Sequence, residues 1–309
     1  MIPYPSPLSD ASQAAPRRPV DASDAVKWLG CLVELAKPSI TRMVLVTTAC
    51  GAAIVPGRIR DYGKLGWALV GTSLIVAAAN ALNMYLEGDV DALMTRTRGR
   101  PIPSGRLPAE TALWFGVALA FVGLPILDFW VNPLTAFIGG VSLLSYVLVY
   151  TPMKRISSLA VWVGAVPGAA PPLMGWTSVT GTVSVAGLSL FLLLFIWQIP
   201  HFHAIALFRT AEYRRAGLVV LPASRGVDYT KRTIVVLLAV QLAVSALPAL
   251  VGLGGLAYGA VASVSGAVYF GWGLAGLRPG AGPKWARSLF FASLPYLLVL
   301  FGVLVAFST

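Results

Sequence analysis

The stretch Leu65-Gly-Trp-Ala-Leu-Val-Gly-Thr-Ser-Leu-Ile-Val-Ala-Ala-Ala-Asn-Ala-Leu-Asn83-Met-Tyr-Leu-Glu87-Gly-Asp89-Val-Asp91-Ala-Leu-Met-Thr-Arg96-Thr97-Arg98-Gly-Arg100 begins as an oily run and ends in charge. Its apolar part is about 20 residues, enough to span a bilayer as a helix. Carboxylates at the end of such a helix are costly unless they bind something. Asn83, Glu87 and Asp91 recur every four residues, which places them on one helical face. Asp89 lies about 200° away from Glu87 and points elsewhere, toward a second ion, an arginine or water. Arg96, Arg98, Arg100 and Arg106 follow at the water boundary. An acidic face followed by a basic loop suits Mg²⁺ and a phosphate-bearing lipid, because Mg²⁺ takes hard oxygen ligands and shares its shell with phosphate.

The rest of the chain repeats the oily pattern. Of 309 residues, 57% are hydrophobic and 11% charged, with a mean hydropathy of +0.78. That excludes a water-soluble domain, and the unbroken length of the apolar runs excludes a β-barrel. The chain is expected to be all-α and polytopic, with about nine transmembrane helices around a central cavity. The spans read as 38–56, 65–88, 109–129, 133–150, 158–177, 184–208, 233–251, 256–276 and 288–308. The Gly164–Gly175 stretch, with Pro167, Pro171 and Pro172, is expected to kink or break its helix while its small residues allow close helix approach.

A net charge of +11 and a pI near 10.0 invite a nucleic-acid reading. The placement of the charges refutes it. Of the 23 Lys and Arg residues, all but Arg58, Arg60 and Lys64 fall on one side of this topology. The positive-inside rule makes that side cytoplasmic, together with the N-terminus and the acidic cluster. Residues 1–25 are rich in Pro, Ser, Ala and Asp and read as a disordered cytoplasmic tail; 26–309 read as one transmembrane domain. Asp10, Asp21 and Asp24 disfavour a mitochondrial leader, so the expected location is a bacterial inner membrane. Cys31 and Cys50 match no metal-binding spacing and read as packing residues.

Two further clusters carry polar chemistry. Trp197-Gln198-Ile-Pro200-His201-Phe-His203 runs on to Arg209, Glu212 and Tyr213 at the end of a span, and His201 and His203 are the only histidines. His201, Ile205, Arg209 and Glu212 fall near one face, which favours His201 over His203 as the functional ring. Tyr150-Thr-Pro-Met-Lys154-Arg155 closes the fourth span with two cations that read either as topology signals at a cytoplasmic helix end or as partners of an anionic substrate.

The pattern Asn83-x3-Glu87-x3-Asp91-x4-Arg96-Thr97 resembles the first acidic motif of the UbiA-type intramembrane prenyltransferases. The chain is similar most of all to the heme O synthase branch, through Leu35-Ala-Lys-Pro-Ser, Asn83 to Pro103, Tyr150 to Arg155, Gly164 to Trp176, and Trp197 to Pro222. These stretches cover most of 35–225 in matching order. The resemblance implies Mg²⁺-dependent transfer of a farnesyl group from farnesyl diphosphate to a vinyl group of protoheme IX, with addition of water, giving heme O. It implies Asn83, Glu87 and Asp91 as metal and catalytic residues. Arg96, Arg100, Lys154 and Arg155 would meet the diphosphate, and His203, Arg209, Glu212 and Tyr213 the heme or a second motif. His201 would orient heme, ligate its iron or act as a base. Membrane lipid, and a heme A synthase or terminal oxidase, are the implied partners. The chain departs from the branch at Glu87, where Asp is frequent, at Gly88, where Arg is frequent, and at His203, where an aromatic is common. Glu212 is the only carboxylate of the second motif, which argues against a quinone-precursor prenyltransferase. A transporter is the remaining alternative, but the internal repeat such proteins often show is reduced here to a loose echo between Asn83–Arg96 and His201–Arg215.

Overall fold

The protein is described by a computed structural model covering residues 22–57 and 61–307. Most of the expected tail, and Arg17, Arg18, Arg58 and Arg60, lie outside the described residues; residues 22–25 already belong to a helix. Among the described residues the structure is all-helical.

The short α1 (Ala22–Leu35) precedes α2 (Pro38–Ala53), α3 (Tyr62–Leu86) and the single turn α4 (Gly88–Leu93). Next come α5 (Ala109–Trp130) and α6 (Pro133–Leu144). The latter runs through a π-helical turn, Ser145–Tyr150, into α7 (Thr151–Met153). Then follow α8 (Ala160–Thr180), α9 (Val185–Phe208), α10 (Thr210–Arg215), α11 (Leu221–Ser224), α12 (Val227–Leu250), α13 (Gly255–Leu274) and α14 (Pro283–Phe307). The nine expected spans correspond to nine long helical stretches among the described residues. Seven of them are long and apolar enough to cross a membrane, so this is a multi-pass membrane protein. The other two, α2 and α8, are respectively short and diluted by Pro and Gly.

Capping explains several helix starts. Asp61, Asn132 and Ser184 each accept the backbone N–H three residues on, at the start of α3, α6 and α9. The bundle is stitched by two helices: α8 packs on α2, α6 and α9, and α9 packs on α12 and α14. The expected break in α8 does not occur. It runs as one helix through Pro167, Pro171 and Pro172. The small residues do bring backbones together. A Cβ on Gly175 would lie 1.9 Å from the Thr48 carbonyl oxygen, and one on Gly51 2.0 Å from that of Pro172. Packing without side chains between α2 and α8 is the membrane solution where lipid supplies no hydrophobic drive.

Candidate active site

Helix α3 ends at Leu86, and Glu87 departs from helical geometry at φ −111°. The helical hydrogen bonds nonetheless continue across the break, from Glu87 N–H to Asn83 O and from Asp91 N–H to Glu87 O. The face therefore survives: Asn83, Glu87 and Asp91 are all buried. Asn83 Nδ2 donates to Glu87 Oε2 (2.8 Å) and to Thr151 Oγ1 (3.1 Å). Thr151 in turn donates to the Tyr146 carbonyl inside the π-helical turn. Such turns cluster at functional sites because they re-aim one helical face.

Each member of this face meets a cation from a different place in the chain. Lys37 Nζ donates to Asn83 Oδ1 (3.3 Å), Lys154 Nζ lies 2.5 Å from Glu87 Oε1, and Arg100 bonds Asp91 Oδ2 at 2.6 Å. Lys37 holds a left-handed backbone (φ 47°) just before Pro38, a costly conformation for a side-chain-bearing residue. Burial, then the nearby Arg100, pushes its ammonium down to about 7. Glu87 Oε1 is buried, and its one close polar neighbour is the Lys154 ammonium, an ion pair without an aligned hydrogen bond. Among the described residues no three His, Cys, Asp or Glu side chains form a metal cluster. The donor set here is two carboxylates and an amide, which fits a hard cation that takes its remaining ligands from diphosphate and water.

The expected diphosphate residues separate. Arg100 and Lys154 are at the acidic face. Arg155 is turned away, making a two-pronged pair with Asp89 (2.6 and 2.8 Å) and holding its carboxyl below the usual range. Asp89 thus points to an arginine. The Arg96 side chain lines a second pocket, of about 460 Å³, with Ile205, Phe208, Arg209, Glu212, Arg215, Arg287, Phe290 and Phe291. Glu212 fastens its floor, accepting from Arg96 N–H (3.3 Å) and Arg209 (2.8 Å). Burial pushes the Glu212 carboxyl up, but these bonds prevail and hold it below its ordinary value.

The two histidines also part. His203 lines a small pocket with Tyr150, Lys154 and Tyr213. His201 turns to α14: its Nδ1 is 2.6 Å from Ser293 Oγ, and its ring stacks on Trp197 and packs on Phe290. The sequence preference for His201 came from its helical face, which does not reveal that α14 covers that face. Thr151 and Arg287 escaped the sequence reading. The sequence reading started the last span at 288, whereas α14 begins at Pro283 and so carries Arg287 on its first turns.

Residues 44–294 match the model of the UbiA prenyltransferase family. The chain belongs to that family. A protoheme IX farnesyltransferase of Sorangium cellulosum is 52% identical over 242 residues, 78% of this chain and 86% of the relative. One from Myxococcus xanthus is 48% identical over 273 residues, 88% and 92% of the two chains. Among solved structures, digeranylgeranylglyceryl phosphate synthase superposes with a TM-score of 0.78 at 16% identity, over 91% of this chain and 98% of its own. A UbiA homolog from Archaeoglobus fulgidus bound to GPP and Mg²⁺ gives 0.66 at 14% identity, over 91% and 99%. These structures share the fold, and the Archaeoglobus fulgidus homolog was solved with Mg²⁺ and either DMAPP or GPP.

Proposed function

We propose that this chain transfers farnesyl from farnesyl diphosphate to the terminal vinyl carbon of protoheme IX, while water gives its hydroxyl to the inner vinyl carbon and loses a proton, and diphosphate leaves. The carrying observation is the buried face Asn83–Glu87–Asp91 enclosed by Lys37, Lys154 and Arg100 in a UbiA-family chain. Its relatives of 48–52% identity carry the protoheme farnesyltransferase name, which supports the acceptor.

Asn83, Glu87 and Asp91 are the residues that would hold Mg²⁺, through two carboxylates and an amide oxygen on one buried face. Bound there, Mg²⁺ supplies charge neutralisation for the diphosphate leaving group. Lys154 and Arg100 neutralise the Glu87 and Asp91 carboxylates, and Lys37 donates to the Asn83 amide oxygen. All three are within reach of whatever anion the face binds, and the charges of Lys154 and Arg100 would be in place before the carbon–oxygen bond breaks. Thr151 keeps the Asn83 amide oriented. Tyr150, whose ring lies 4.7 Å from the Lys154 ammonium, lines the small pocket beside the face and offers a π-surface to an allylic cation.

The reading places one prenyltransferase domain over 26–309 in a bacterial inner membrane, with the N-terminus and site loops cytoplasmic. The product goes to a heme A synthase or terminal oxidase. The test is purified protein with protoheme, farnesyl diphosphate and Mg²⁺, with and without chelator. A chelator-sensitive gain of hydroxyethylfarnesyl mass on heme is expected. Unchanged heme beside a working family member refutes the reading.

A further inference from the structure

A second pocket stands apart from the one beside the acidic face. It is a cleft of about 460 Å³ between the α9–α10 corner and the start of α14. Its wall is apolar and aromatic: Ile205, Phe208, Phe290 and Phe291. Phe208 and Phe290 meet edge-on at 5.9 Å, and Phe290 and Phe291 at 5.0 Å. Phe291 is 54% exposed, which leaves the wall open to the side. The rim carries Arg96, Arg209, Arg215 and Arg287 against one carboxylate, Glu212. Glu212 is already engaged by Arg209 and the Arg96 backbone. The Arg96 and Arg215 guanidiniums have no hydrogen bond or ion pair among the described residues. Arg287 only overlies the Phe291 ring, at 5.9 Å. Arg96 is within electrostatic reach of Glu212, whereas the exposed Arg215 and Arg287 pair with no carboxylate among the described residues; two such arginines beside a ring-lined apolar wall suit a flat apolar ligand with a paired anionic edge.

We propose that this cleft seats the porphyrin acceptor, with Arg215 and Arg287 taking its two propionate carboxylates and the Phe208–Phe290–Phe291 wall taking the macrocycle face. The proposal rests on the protoheme reading above. Protoheme carries its propionates on one edge and its vinyl groups on the other. Anchoring the propionate edge at the charged rim directs the vinyl edge inward. Guanidinium suits carboxylate because its donors form paired, charge-assisted bonds. Arg96 joins the two sites in sequence, since it follows the acidic face by five residues and lines this cleft. The farnesyl diphosphate would be held elsewhere, at Lys37, Lys154 and Arg100.

The test is equilibrium binding in detergent, followed by the Soret band, of protoheme and of its dimethyl ester, whose carboxylates are masked. The wild-type protein is expected to favour the free acid by roughly tenfold or more, the loss typical of charged hydrogen bonds. Arg215→Gln/Arg287→Gln is expected to erase that preference, while Arg287→Lys retains part of it. In turnover, the double variant should raise KM for protoheme about tenfold and leave KM for farnesyl diphosphate unchanged. Equal wild-type affinity for acid and ester overturns the proposal without relying on any variant. So does a rise in KM confined to farnesyl diphosphate, which would assign the arginines to diphosphate. Free-acid preference together with no heme O formation would sustain the porphyrin cleft and refute the farnesyl-transfer reading, so the two fail separately.

Discussion

Asp91 and Asp89 are two residues apart, and the structure gives them opposite fates. The Asp91 side chain is 5% exposed and bonds Arg100 at 2.6 Å on the acidic face. The Asp89 side chain is 66% exposed and clipped to Arg155. An Asp91→Asn substitution keeps the shape and an oxygen for Arg100 but removes one negative charge from the site. Preorganised charge of this kind is worth about 3–4 kcal/mol to the transition state, so kcat should fall roughly 100- to 1000-fold. The loss in stability should be small, about 1 kcal/mol, since Arg100 is partly solvated and keeps a neutral acceptor. Asp89→Asn removes only a surface pair and should leave kcat within about threefold. The assay is heme O formation by chromatography and mass, with saturating farnesyl diphosphate, alongside thermal unfolding in detergent. The argument is refuted if Asp91→Asn keeps a third of wild-type activity, or if Asp89→Asn is as damaging.

Three other outcomes are expected. Glu212 has a depressed carboxyl pKa, so its stabilising link between the Arg96 loop and α10 is complete above its ordinary value of 4.5 and disappears as pH falls through the lower folded value. Limited proteolysis at 94–100 should therefore begin only below pH 4.5 in the wild type, and at neutral pH in Glu212→Gln. Gly175→Ala would place Cβ 1.9 Å from the Thr48 carbonyl oxygen where ordinary contact begins at 3.4 Å. Forcing α2 from α8 costs roughly 1–3 kcal/mol, read as a lower unfolding temperature, whereas Gly181→Ala meets open space but strains a positive φ. His201→Ala removes a stacked ring and its bond to Ser293, and should cost about 2–3 kcal/mol in stability with KM for farnesyl diphosphate unchanged. Lost turnover at an unchanged unfolding temperature would show instead that the ring acts on substrate.

Much of this molecule is local and therefore readable from the chain. Apolar runs of bilayer length, capping residues, the bias of Lys and Arg and the four-residue spacing of Asn83, Glu87 and Asp91 each depend on a few neighbouring residues. They identified a helical membrane protein, its spans and an acidic face, and that face persisted even where the helix broke at Glu87. The tertiary structure decided what stands over each face. Lys37, Thr151 and Lys154 reach Asn83 and Glu87 from 46 to 68 residues away, and Glu212 reaches the Arg96 backbone across 116. Periodicity gives the angle at which a side chain leaves its helix; it carries no record of which helix lies opposite. That is why Arg155 turned to Asp89, why α14 claimed His201, and why Arg287, read only as a topology charge, lines the cleft beside Phe290 and Phe291. Proline has the same limit: it removes amide donors locally, yet α8 stays continuous because the helices packed around it hold its course.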